Sequence, residues 1–140
     1  MFPMAGVLRD LAVAAESFLL LAWVRVALRV APRRLLRGVL APRRGGAAAD
    51  AVAVARIFSR VAARHPLNHH CMHRSLALQR VLARRGIAAE LRIGLGRKPN
   101  LFPGHAWLEI DGVVVNDDPQ VVSRYAPLTI TETALGMAYR

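Results

Sequence analysis

Apolar positions follow two periods along this chain, one helical and one alternating. Over residues 11–30, "LAVAAESFLLLAWVRVALRV", apolar side chains fall on every side of a helical wheel, and the only charges are Glu16, Arg25 and Arg29. With no clean polar face, this predicts a long helix covered on several sides. Ala31-Pro32 should end it, because a residue before proline is steered out of the helical region. A short basic helix is expected from Arg33 to Leu40. "APRRGGAAAD", residues 41–50, reads as a linker, with Asp50 placed to cap the next helix. In that helix Val54, Ile57, Phe58 and Val61 make an apolar stripe, Arg56, Arg60 and Arg64 line the other side, and His65-Pro66 stops it. Another helix is predicted from Cys71 to Arg85, with Gly86 as its C-terminal cap.

After Gly86 the period shortens. "IAAELRIGLG" alternates as a strand does, and "HAWLEI" and "VVVND" flank Asp111-Gly112, a hairpin signal. A three-residue loop, Ile110-Asp111-Gly112, is expected here, with Gly112 at positive φ, so that His105 lies opposite Asp117. Asp118 is then a turn residue before Pro119. Residues 119–140 read as a loop with an edge strand or short helix. Helices followed by an antiparallel sheet define an α+β fold. The organisation expected is a helical segment over 1–45, packing on the core or on a partner, and a core over 46–140.

Length and charge narrow this picture. A chain of 140 residues suits one domain, and no repeat is visible. Residues 11–30 are about long enough to span a bilayer, but each of the three charges costs roughly 2.5–3.5 kcal/mol near the centre of a span. Neither a basic leader nor a small-residue cleavage site accompanies them, so a helix docked on protein is the better reading. The formal net charge is +11, nearly all of it arginine. That excess suits an acidic partner or simply solvated helix faces. The arginine blocks are not interleaved with aromatics and no nucleic-acid motif is present, so no nucleic-acid partner is expected. An anionic membrane surface fits the charge but is the less favoured partner. The chain has one cysteine, which excludes an internal disulfide and points to a reducing, cytoplasmic compartment.

That cysteine sits in "HPLNHHCMHRSLALQRVLARRG", residues 65–86, with His65, His69, His70 and His73 around it. Three roles compete. As a metal site, His69 and His73 share a helix face, but Cys71 points about 200° away from His73, and His73 lies on the stripe of Arg80 and Arg84. No metal is expected, and these histidines should be solvated. As an inert residue, Cys71 shares a core-facing stripe with Ser75, Leu78 and Leu82, where a lone cysteine usually acts as a small hydrophobe. As a nucleophile, Cys71 begins a helix, where unpaired N–H groups and the macrodipole favour the thiolate. Downstream, "GHAWLEIDGVVVNDDP" places a histidine early on one strand and an acid at the end of the next. Thiolate, histidine and acid are the nucleophile, base and orienter of covalent catalysis.

"CMHRSLALQRVLARRGIAAELRIGLG" followed by "HAWLEIDGVVVND" resembles the transglutaminase-like (papain-like) peptidase domain of lasso-peptide maturation B proteins, over roughly residues 50–128. The resemblance implies a Cys-His-Asp triad of Cys71, His105 and Asp117. It implies a leader peptidase that cuts the leader–core bond of a ribosomally made precursor. Fused members begin with a small peptide-binding domain that finds no room here, so the expected form is the peptidase half of a split system. Its expected partners are the precursor peptide, a separate leader-recognition protein and an ATP-dependent lasso cyclase. No cofactor is expected, since no Walker motif occurs and "GLGRKPN" is a poor phosphate loop. Trp107 shares the face of His105 and could shield the site, or simply pack. Arg74 and Ser75 could support the nucleophile, and Asn68 is a candidate oxyanion donor beside the Cys71 N–H. Two other readings compete: another transglutaminase-like amide hydrolase or acyl transferase, and a non-catalytic basic scaffold or membrane-surface protein.

Overall fold

The computed structural model describes residues 4–40, 48–101, 103–131 and 134. The elements run α1 (Met4–Val30), α2 (Pro32–Leu36), α3 (Ala48–Arg64), α4 (Cys71–Ala83), β1 (Glu90–Gly96), β2 (Gly104–Ile110), β3 (Val113–Val114), α5 (Pro119–Val122) and β4 (Tyr125–Pro127). The strands form one sheet in the order β3-β2-β1-β4, antiparallel throughout. Helices α1 to α4 precede the sheet, as the α+β pattern expects, and the short α5 falls between β3 and β4.

The central element is α4. Met72, Ser75, Leu76, Ala77, Leu78, Gln79, Val81 and Leu82 are all buried, because α1 and α3 pack on one side of the helix and β1 and β2 on the other. Gln79 is polar in this core, and both its bonds are to backbone: Nε2 donates to the carbonyls of Val39 (3.3 Å) and Ala89 (2.9 Å). A buried amide satisfied in this way joins the loop after α2 to the start of the sheet. After α4 the chain turns at Gly86, where Ile87 N–H returns to the Leu82 carbonyl at 3.0 Å. The helix itself stops at Ala83, two residues before the expected end.

Helix α1 differs from its expectation. It buries one face only: Val13, Ser17, Leu21, Val24 and Leu28. The opposite face leaves Met4, Leu8, Leu11, Leu19, Val26 and Val30 exposed. The three charges that argued against a membrane span have other roles here. Glu16 pairs with Arg84 (2.6 Å) and Arg85 (2.8 Å) at the end of α4. Arg25 donates to the carbonyl of Asn68, in the loop before α4. Arg29 is exposed in the last turn. By length and composition alone α1 could cross a membrane, yet its buried stripe packs on α3 and α4.

Smaller differences lie at element ends. The basic helix closes at Leu36 rather than Leu40, because Arg37 turns to an extended ψ of 126°. Asp50 lies inside the first turn of α3 rather than capping it, and pairs with Arg9 of α1 at 3.6 Å. The linker and the expected boundary at 45/46 fall largely on 41–47, outside the described residues.

Candidate active site

Cys71 is the first residue of α4, and His105 is the second residue of β2. Asp117 lies in the loop between β3 and α5. The fold brings the three together. His105 is close enough to the Cys71 thiol for each to shift the other's titration, and its Nε2 meets Asp117 Oδ2. Nε2 is therefore committed to the carboxylate, and Nδ1 is the nitrogen left for sulfur. All three side chains are partly buried.

The electrostatics follow from that chain of contacts. Burial pushes the Cys71 thiol up, but the bond to His105 and the backbone N–H groups of Ala106 and Met72 outweigh it, so the thiol lies below its ordinary range. The N–H of Met72 is one of the unpaired donors at the start of α4. His105 is raised to about 9, first by its bond to Asp117 and then by Cys71, against burial. Burial raises Asp117, and the bonds from His105 and the Asp118 N–H more than reverse this, leaving it below its usual value. Such a set favours a thiolate, an imidazolium and a carboxylate in line, with sulfur as the nucleophilic end.

Aromatic rings hold the imidazole in place. Tyr125 of β4 stacks on His105 with centroids 4.8 Å apart, and Trp107 lies on the same face at 6.1 Å. Trp107 is 1% exposed, and its Nε1 donates to Glu109 Oε1 at 2.8 Å. Glu109 is held in turn by Arg92 at 3.2 Å. The rings fit because β1 has Gly94 at the crossing, where a Cβ would come within 2.9 Å of the Trp107 ring and 3.0 Å of the Tyr125 Cβ. Ser75, one turn after Cys71, is fully buried. Its Oγ donates to the Ala106 carbonyl at 3.2 Å and accepts from Asn116 Nδ2 at 3.1 Å.

Arg74 and Asn68 are less central. Arg74 is exposed on α4, and its charge favours the Asp117 carboxylate. Asn68 is exposed as well, and what ties it down is its carbonyl, bonded by Arg25. Among the described residues its side chain makes no hydrogen bond into the site. The sequence reading passed over Tyr125 and Asn116. Tyr125 reaches His105 only through the pairing of β4 with β1, which leaves no local trace. Asn116 had a signal: an asparagine at a strand end can replace a backbone acceptor.

The hairpin corrects one expectation. Its loop has two residues, with Ile110 paired to Val113 and Glu109 to Val114. Asp111 and Gly112 take φ values of 49° and 79°, as a type I′ turn demands of both central residues. Gly112 is thus at positive φ, but the three-residue loop is absent. The aspartate-glycine pair satisfies the tighter turn, whose twist matches the strands. Asp118 caps α5, accepting from Gln120 N–H at 2.8 Å.

Of the histidines expected to be solvated, His70 is exposed, but His65 and His69 are connectors. His65 Nδ1 accepts from Leu67 N–H (3.2 Å), which leaves its Nε2–H to donate to the Phe18 carbonyl (3.1 Å). His69 Nε2–H then donates to His65 Nδ1 at 3.0 Å. His69 is 5% exposed, and its Nδ1 is buried with no partner. His73 is half-buried beside the Arg25 and Arg29 charges. Among the described residues no group of three or more His, Cys, Asp or Glu converges as metal ligands would. His69 is lowered to about 4, chiefly by burial and then by His65 and His73. An unfolded histidine binds its proton near 6.5, so stability is full above that pH and drains as pH falls from 6.5 to about 4. The loss from this group is on the order of 3 kcal/mol. Thermal melts from pH 7 to 4 should show the decline, and His69→Gln should flatten it. An equal decline in both proteins would assign it elsewhere.

Comparison with known proteins identifies the family of the fold that carries these residues. Over 51 residues the chain is 43% identical to the Microcin J25-processing protein McjB of Escherichia coli, a match covering 36% of this chain and 24% of that protein. The chain therefore matches about a quarter of the relative's length. No solved structure matches it significantly. The model of the Transglutaminase-like superfamily matches residues 18–130, from the middle of α1 to beyond β4. That span holds the cysteine, the histidine, the aspartate and every element that positions them, and the chain belongs to the transglutaminase-like superfamily.

Proposed function

We propose that this protein is the leader peptidase of a lasso-peptide maturation system, hydrolysing the leader–core bond of a precursor. The observation that carries the proposal is the convergence of Cys71, His105 and Asp117 at the start of a buried helix, with His105 bonded to Asp117 and its charge favouring the Cys71 thiolate. The processing role in the relative's name supports it.

The thiolate of Cys71 attacks the carbonyl carbon of the scissile bond. The N–H of Cys71, at the head of α4, is the nearest backbone donor for the developing oxyanion. His105, charged beside Asp117, passes a proton to the departing core amine as the tetrahedral intermediate collapses to a thioester. Neutral His105 then takes a proton from water, the hydroxide displaces the thiolate, and the leader leaves as a free carboxylic acid. Asp117 keeps Nε2 occupied through both steps. Trp107 and Tyr125 stack beside the imidazole and keep bulk water off that side. The test is to incubate the precursor with this protein and read both products by mass spectrometry. A cut at the leader–core junction is expected, and an intact precursor under all conditions would end the reading.

The exposed side of α1 supports the split form. Leu19 is 67% exposed and Val26 58%, on a face that is apolar over most of its length. Beside it, Trp23, Val26, Val30 and Leu35 line a groove of about 480 Å³ with Arg34 and Arg80. An exposed apolar helix face of this kind suits an interaction site. We assign it to the leader-recognition protein. The isolated chain should then bind leader weakly and turn over slowly, and the partner should restore turnover. Leu19→Glu together with Val26→Glu should abolish the partner's effect without unfolding the chain. Tight leader binding by the isolated chain, measured by fluorescence anisotropy, would contradict the split form.

A further inference from the structure

We infer that Asn116 is a positioning residue that selects Asp117, rather than Asp118, as the carboxylate facing His105, with Ser75 as its anchor. The inference rests on the triad reading above.

The observed hairpin register would select the other aspartate. With Ile110 opposite Val113 and Glu109 opposite Val114, the same register continued places Leu108 opposite Val115, Ala106 opposite Asp117 and His105 opposite Asp118. Residues directly opposite share a face of the sheet. A regular strand would thus hold Asp118 against His105 and turn Asp117 to the other side. The structure holds Asp117 on His105 and gives Asp118 to the cap of α5.

The change of register has a definite place. Val115 N–H donates to the Leu108 carbonyl at 3.0 Å, so the pairing is regular to that point. The return bond is not. Leu108 N–H donates to the side-chain Oδ1 of Asn116 at 2.7 Å, where the ladder calls for the Val115 carbonyl. A side chain stands in for backbone, and the main chain leaves the strand one residue early. The other end of the amide fixes the departure. Nδ2 donates to Ser75 Oγ at 3.1 Å, and Ser75 donates to the Ala106 carbonyl at 3.2 Å. This network touches all three carriers of the site: Ser75 follows Cys71 by one helical turn, Ala106 follows His105, and Asn116 precedes Asp117. Ala106 also bears on the nucleophile, because its backbone N–H favours the Cys71 thiolate.

The test reads the thiolate directly and needs no peptide substrate, so its failure is distinct from a failure to cleave precursor. Iodoacetamide alkylation of Cys71 is followed against pH in the full chain. Asn116→Ala restores the backbone ladder, and alkylation at pH 6 should slow about tenfold as the thiolate loses its ordered partner. The decisive comparison adds the aspartate variants. In the wild-type background Asp117→Asn should slow alkylation and Asp118→Asn should not. In the Asn116→Ala background that order should reverse. Ser75→Ala removes the anchor without touching the hairpin and should show the same exchange in weaker form, which covers the case that Asn116→Ala fails to fold. An Asn116→Ala protein with the wild-type profile and an unchanged dependence on Asp117 would overturn the inference. So would a Ser75→Ala protein indistinguishable from wild type.

Discussion

Cys71→Ala should leave the protein folded and reduce leader removal by at least about 10³-fold, as loss of a covalent nucleophile does. The side chain sits at the partly exposed start of α4, not among its fully buried positions. Removing sulfur there costs on the order of 1 kcal/mol or less, so circular dichroism and the melting curve should change little. His105 keeps Asp117 but loses the sulfur that also raises it, and its titration should shift downward in the variant. Folded Cys71→Ala protein that still cuts precursor at the wild-type rate would remove sulfur from the mechanism.

Asp117→Asn and Asp118→Asn should differ sharply, although the two residues are adjacent. Asp117 is the first cause of the raised His105 value of about 9. Without its charge the imidazolium loses its main stabiliser, and the neutral ring loses the partner that fixes its tautomer. Activity at neutral pH should fall about 10²-fold or more. Wild-type activity should hold up to about pH 9, where His105 loses its proton, and the alkaline limb in Asp117→Asn should move down toward 6.5. Asp118 accepts a capping bond from Gln120 N–H. Asparagine caps helices as well as aspartate does, so Asp118→Asn should stay within about twofold. Rate–pH profiles of the two variants decide the matter. Equal losses in both would show that neither carboxylate is specific to His105.

Parts of this structure are legible in the sequence because their causes are local. The stop at Ala31-Pro32, the helix starting at Cys71, the Gly86 turn and the Asp111-Gly112 hairpin each depend on a few neighbouring residues, and each is where the pattern places it. Other parts depend on distant contacts. The sequence shows that α1 is apolar but not that one face stays uncovered, because burial is set by what packs against it. His69 looks like one polar residue among several, and its burial follows from the way α1 and the end of α3 enclose the loop before α4. The proximity of Asp117 to His105 was expected from a three-residue loop. The loop has two residues, and the placement comes from the Asn116 side chain and its bond to Ser75, 41 residues away in sequence. No strand periodicity contains that information.

The most direct measurement uses the fact that Cys71 is the chain's only cysteine. Iodoacetamide added in steps gives protein with a known fraction of Cys71 alkylated, read by intact mass, and each sample is then assayed for leader removal with the partner present. One label per chain is expected, with activity falling in direct proportion to it and reaching zero when every Cys71 is capped. Fully alkylated protein that still frees the leader at an undiminished rate would contradict that expectation.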